Sequence, residues 1–163
     1  MEIVAHHLQG VASTRSDLIE RDLFGRSAFN RYYYATYLDV KEVLGSLKAE
    51  WGKISHGGVP DMLTGPVKKA LVKGRERAQR ASDFETADLC SRAVNAIHIL
   101  AEMMTDGYAT RVAADYYPEV KIDFEDAYNF KLNLVRVKDA AEWPIKARGL
   151  LRTINAAWRQ VHD

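Results

Sequence analysis

The chain of 163 residues has one cysteine and four prolines. Cys90 therefore lacks a partner for an internal disulfide, which argues against a stapled secreted scaffold and for a reducing compartment. Set among apolar residues at helical spacing, it reads as a small buried hydrophobe. No stretch approaches the roughly 20 consecutive apolar residues of a membrane span, and the N-terminus has no basic segment followed by an apolar run, so a cytoplasmic protein without a membrane partner is expected. The common catalytic signatures are missing too. The absence of a Gly-rich phosphate loop, a His-Glu-x-x-His pair, a Cys-x-x-Cys cluster and a Gly-x-Ser-x-Gly elbow argues against the usual nucleotide hydrolases, metalloproteases, zinc modules and hydrolase elbows. No metal and no cofactor is expected; His6-His7, beside the terminus, reads as surface or disordered rather than as a ligand pair.

What is present is an ordinary globular composition, 47% hydrophobic and 28% charged with a net charge of +1, which bounds the fold to a single domain over residues 1–163. The pattern is mainly helical. Ser13 to Leu23 predicts a short amphipathic helix carrying Leu18, Ile19 and Leu23 and broken by Gly25, followed by a tyrosine-rich helix to about Leu47. Trp51 to Pro60, with two adjacent glycines and a proline, reads as a loop; Asp61 to Thr64 makes one helical turn at most. Pro66 opens the next helix, weakened in its middle by Gly74. Ser82 or Asp83 caps a helix with Phe84, Ala87, Cys90, Val94, Ile97, Ala101 and Met104 as its buried stripe. Gly107 is expected to end it, before a shorter helix from Tyr108 to Tyr116. Alternation in Val120–Phe124 and Phe130–Val137, around a polar turn at Glu125 to Asn129, predicts a β-hairpin packed on the helices. The last helix presents Leu150, Leu151, Ile154, Trp158 and Val161, starting at the Asp139/Glu142 pair or at Pro144.

Charge is unevenly distributed. From Pro66 to Ala81 the chain carries Lys68, Lys69, Lys73, Arg75, Arg77 and Arg80 against Glu76, whereas Asp115 to Asp126 is mostly acidic. A helix of this charge density can neutralise phosphates; it can equally be a solvated face or one paired with the acidic region of a second subunit.

The densest chemistry lies in Ser27-Ala-Phe-Asn-Arg-Tyr-Tyr-Tyr-Ala-Thr-Tyr-Leu38. At about 100° per residue, Phe29, Tyr33, Thr36, Tyr37, Val40, Val43, Leu44 and Leu47 form an apolar stripe, and Asn30, Arg31, Tyr34, Leu38 and Lys41 fall on a neighbouring semi-polar face. The tyrosines suit a core edge that keeps hydroxyls wet, or a recognition surface. His56 sits in the Gly-rich loop, where a histidine either does chemistry or holds a helix end. His98, near Val94, Ile97 and Ala101, reads as a core histidine.

Three blocks carry a resemblance: Arg31-x-Tyr33-Tyr34-Ala35-x-Tyr37, then Ser55-His56 and Val59, then Arg111-Val-Ala-Ala-Asp115-Tyr116. In this order they resemble the prokaryotic HEPN superfamily. The resemblance implies a HEPN-like antiparallel helical bundle, here with a small β-hairpin near residues 120–137, that usually dimerises and often acts as a ribonuclease in toxin–antitoxin or antiviral systems. Ribonucleases of that superfamily carry an Arg followed by four to six residues and a His. After Arg31 those positions are Thr36, Tyr37 and Leu38, none of them an imidazole base. Arg92 and His98 match the spacing formally but lie about 120° apart on a helix.

Two functions remain expected. One is a non-catalytic, homodimeric module that binds RNA, a nucleotide or a partner protein from a neighbouring gene through Asn30, Arg31, Tyr34 and Tyr37 and through Lys68, Lys69, Lys73, Arg75 and Arg77. The other is a metal-independent ribonuclease with a rearranged site, in which Arg31 stabilises the phosphorane charge and His56 carries the proton. Whether the chain is an enzyme turns on that missing histidine.

Overall fold

A computed structural model describes residues 1–162 and is mainly helical, with one small three-stranded antiparallel sheet. The helices are α1 (Glu2–Thr14), α2 (Leu18–Leu47), α3 (Val59–Met62), α4 (Lys68–Arg80), α5 (Phe84–Tyr116) and α6 (Val137–His162); the strands are β1 (Asp123–Phe124), β2 (Phe130–Leu132) and β3 (Val135–Arg136). Among the described residues no helix is long and apolar enough to cross a membrane. Two compact units form, Met1–Leu38 with Asp106–Ile145, and Asp39–Thr105 with the chain from Lys146 onward.

In the first unit the chain breaks at residues 15–17, not inside a helix spanning Ser13 to Leu23. The Asp17 carboxylate accepts the N–H groups of Ile19 and Glu20 at 2.9 Å each, which satisfies two donors at the start of α2. His6 and His7 are helical, with exposed side chains; the His6 ring meets Tyr32 edge-on at 5.2 Å. Leu18, Ile19 and Leu23, expected to face a core, are exposed. Gly25 does not stop α2. A Cβ there would stand 3.2 Å from Ile122 and 3.4 Å from Phe130, so the glycine lets the β-region pack against the helix. Gly107 likewise lies inside α5, where a Cβ would meet the Tyr33 ring at 3.0 Å. In both places close packing, rather than chain reversal, uses the missing side chain.

The expected hairpin is β1 paired with β2, in register Asp123 with Lys131 and Phe124 with Phe130. The run Phe130–Val137 is not one strand, because it turns at Asn133-Leu134, with Asn133 at φ +53°, and returns as β3. Asparagine tolerates that left-handed conformation. Helix α6 starts directly after β3, so Pro144 sits within it rather than at its first turn, with its ring buried and one backbone hydrogen bond forgone.

In the second unit the stretch expected as a loop is two tight 3-10 turns, Ala49–Lys53 and His56–Gly58, leading into α3. Gly45 and Gly52 approach so closely that a Cβ on Gly45 would lie 3.2 Å from the Gly52 Cα. Pro66 falls inside a wide π turn, Leu63–Val67, that joins α3 to α4 instead of opening the basic helix. Gly74 is buried, with Val161 occupying the space its Cβ would need, at 2.6 Å. Ser82 takes φ +58° in the turn before α5, and the Asp83 carboxylate caps that helix by accepting the Thr86 N–H at 3.0 Å. Ala87, Cys90, Ile97, Ala101 and Met104 are buried as expected, but Phe84 is exposed. His98 is also exposed, which corrects its assignment to the core: the buried side of the helix at that level is taken by Ala93, Ile97 and Leu100.

Candidate functional site

In the first unit α2 and the last turns of α5 bring the first and third sequence blocks together. Phe29, Tyr32, Tyr33, Thr36 and Tyr37 are buried, so the half-exposed Asn30, Arg31 and Tyr34 are left on the adjoining face of α2. Tyr37 belongs to the packing: its ring is stacked on Tyr33 at 6.2 Å and 19°, which takes it away from the surface contact expected of it. Burial, then the nearby Tyr37 phenol, pushes the Tyr33 phenol well above its ordinary value; burial and the Glu2 charge push Tyr32 up to about 12. Both are neutral structural groups.

Around Tyr34 the arrangement is polar and cationic. The Asn30 amide donates to Asp115 Oδ1 at 2.6 Å, and Arg111 Nε lies 3.0 Å from Asp115 Oδ2. That ion pair is close but off-line, so Arg111 Nε has no hydrogen-bond partner; Asn30 Oδ1, also buried, has none either. Arg111 Nη2 reaches the Tyr34 hydroxyl at 3.5 Å, and its guanidinium lies 5.8 Å from the Tyr34 ring and 5.3 Å from Tyr116. The Arg31 guanidinium stands 5.9 Å from the same Tyr34 ring. Burial works against the Arg111 charge, but Tyr34 and Asp115 outweigh it and hold the group above its ordinary value, so it stays a cation at any working pH. Asp115 is engaged by Arg111 and Asn30 and not by Arg31. Two cations therefore stand beside one half-exposed aromatic ring, with Asp115 paired to one of them, an arrangement that suits a phosphate beside a stacked base.

The position of this cluster depends on a residue the sequence reading passed over. Arg26 is buried on α2 and collects the end of α5: its Nη1 donates to the carbonyls of Ala113, Ala114 and Tyr117 at 3.1, 3.2 and 3.2 Å, and its Nη2 to Pro118 and Val120. Asp22 holds the Arg26 Nε at 2.8 Å and accepts the Ile122 N–H at 2.8 Å. The i, i+4 spacing of Asp22 and Arg26 is the one signal in the sequence that could have found the pair.

The other sequence-predicted residues lie in the second unit. His56 opens the turn His56–Gly58 and is half-buried. Arg92 is exposed and paired with Asp88 at 3.2 Å, on a different side of α5 from His98. On α4, Lys69, Lys73, Arg77 and Arg80 are exposed, while Lys68 and Arg75 are half-buried on its flanks. The acidic segment has partners within its own unit: Lys131 lies 3.1 Å from Asp123 and 3.7 Å from Glu125, and Arg136 lies 3.8 Å from Glu125. Among the described residues no group of three His, Cys, Asp or Glu side chains is placed to hold a metal ion. No protein-family model, curated protein or solved structure matches the chain.

Proposed function

We propose that the chain is a HEPN-like helical module of a prokaryotic defence or toxin–antitoxin type system, which dimerises and binds RNA at the Arg31–Tyr34–Arg111 face without cleaving it. The observation that carries this reading is the flanking of the Tyr34 ring by the Arg31 and Arg111 guanidiniums at 5.9 and 5.8 Å, with Asp115 engaged by Arg111 and Asn30. The half-exposed ring takes a base, and the two cations take the adjoining phosphates. A proton carrier is what the face lacks, since Thr36 and Tyr37, the first two positions where the superfamily's histidine would stand, are buried, and Leu38 has no titratable group. Dimerisation is supported by the start of α2, where the apolar side chains Leu18, Ile19 and Leu23 are exposed two or more helical turns before Arg31.

The test incubates metal-free protein with a mixed RNA pool, alongside the Arg31→Ala and His56→Ala variants. Binding without cleavage is expected, weakened about ten-fold by Arg31→Ala and unaffected by His56→Ala. Cleavage by the native chain that disappears in both variants would instead establish a ribonuclease with Arg31 and His56 as its working pair. Light scattering should report twice the 18.4 kDa of one chain; a species of one chain mass at micromolar concentration would remove the dimer.

A further inference from the structure

We propose a second nucleic-acid site, independent of the Arg31 face: a groove in the second unit that holds single-stranded RNA, with its phosphates on α4 and one base on His162. The inference begins with the two faces of α4. Val67 before it and Leu71, Gly74 and Ala78 within it are buried, whereas Lys69, Lys73, Arg77 and Arg80 are exposed at steps of four, four and three residues. Those steps place the four cations in one row, each about 4.5–6 Å along the axis from the next, a spacing comparable with the step between phosphates of a nucleic-acid strand. One carboxylate, Glu76, interrupts the row; it lies 3.7 Å from Arg80 on the surface, where such a pair competes weakly with a phosphate. Among the described residues no carboxylate pairs with Lys69 or Lys73.

The second observation is aromatic. The end of α6 lies beside this row, tied to it by Arg77, whose Nη2 donates to the Val161 carbonyl at 3.0 Å. A cavity of about 650 Å³ opens there, lined by Lys73, Glu76, Arg77, Arg80, Val161 and His162, so that three cations face one carboxylate in it. The His162 ring lies flat on Trp158, with centroids 3.8 Å apart and planes at 12°, and its Nδ1 is 3.0 Å from the Trp158 carbonyl. Trp158 is itself buried and braced edge-on by Trp51 at 5.3 Å. His162 therefore has one face committed to a rigid stack and is otherwise exposed, which makes it a platform for a base at the side of the cation row. A cation row alone would suit any polyanion, including an acidic protein; the platform inside the same cavity selects a strand with unpaired bases.

The test uses fluorescence anisotropy with a labelled oligouridylate and, as competitor, inorganic polyphosphate of matched charge. The Arg31→Ala variant is the common background, so that the groove is read apart from the face proposed above. Binding should weaken with salt, and Lys69→Gln/Lys73→Gln/Arg80→Gln should reduce the slope of log affinity against log salt by about 2, at roughly 0.7 per lost phosphate contact on a single strand. His162→Ala should weaken oligouridylate about ten-fold while leaving the salt slope and the polyphosphate affinity unchanged. An unchanged slope in the triple variant would remove the cation row, and equal effects of His162→Ala on both ligands, or none, would remove the platform. The substituted groove positions are all exposed and Arg31 is half-exposed, and far-UV circular dichroism checks that each variant is folded.

Discussion

Replacing Arg26 by methionine keeps its aliphatic stem and volume but removes the guanidinium that holds the end of α5. The last carbonyls of a helix have no intrahelical partners, and a cation at that end also meets the negative pole of the helix dipole. Here Arg26 supplies both effects to Ala113, Ala114, Tyr117, Pro118 and Val120. Its loss takes this donor from Ala114, Pro118 and Val120, while the Ala113 and Tyr117 carbonyls keep the N–H groups of Tyr117 and Val120, and it strands the Asp22 carboxylate, 14% exposed, with the Ile122 N–H and the more distant Lys121 at 3.8 Å. Breaking a buried pair in this one-sided way costs about 3–5 kcal/mol. The individual hydrogen bonds must not be added to that figure, because they share one charge. For a chain of this length each kcal/mol lowers the melting temperature by roughly 2–4 °C, so Arg26→Met should lower it by about 6–20 °C. Urea unfolding at constant slope gives the free energy directly. Asp22→Asn/Arg26→Met should recover part of the loss, since the stranded charge is gone. A cost below about 1 kcal/mol, or strict additivity of the two substitutions, would refute the assignment of Arg26 as the fastening of α5.

Gly107→Ala should destabilise by about 1–3 kcal/mol in urea unfolding, since its Cβ would press at 3.0 Å on a Tyr33 ring held by Tyr37 and Tyr108; a neutral or stabilising result would show that the ring can move aside. Acid should weaken the fold partly through Asp83 and Asp126, whose carboxyls are held below the ordinary range: Asp83 chiefly by the Thr86 N–H, Asp126 chiefly by the Asn129 side chain and then the N–H groups of Tyr128 and Asn129. A folded-state value below the unfolded one gives stability that is present above the unfolded value and lost as pH falls through the folded one, so the melting temperature should fall on acidification below about pH 4. Asp83→Asn and Asp126→Asn should each flatten that fall, and an unchanged profile in both would remove the linkage.

How far the fold could be read from the chain depended on what each glycine and proline was for. The buried stripe of Phe29, Tyr33, Thr36, Tyr37, Val40, Leu44 and Leu47 on α2 and the Asp83 cap follow from spacing and local hydrogen bonding and are found, whereas Val43 of the same stripe is half-exposed. Gly25, Gly107 and Pro144 looked like punctuation and are not. In two a neighbour occupies the volume of the missing Cβ, and the third lies inside a long helix with its ring buried, one backbone hydrogen bond forgone. None of this is local information: Ile122 and Phe130, which press on Gly25, lie about a hundred residues further along the chain. Asn133-Leu134 was the opposite case, a two-residue turn hidden in an alternating run because its only local mark is one asparagine.

The candidate site divides along the same line. Asn30, Arg31 and Tyr34 could be placed on one face from periodicity alone, because a helix fixes the angles between them whatever packs around it. That Arg111 and Asp115 stand opposite could not, since it requires α5 to run unbroken through Gly107 and to end where Arg26 holds it. The same holds on α4, where the cation row is visible in the sequence and its flat aromatic neighbour is not: His162 and Trp158 come from the far end of the chain and meet the row beside Gly74, where Val161 fills the space a Cβ would take. Residues that recognise charge are thus legible as patterns on one helix, whereas the residues that decide which charged ligand fits arrive from a second helix, at positions set by packing.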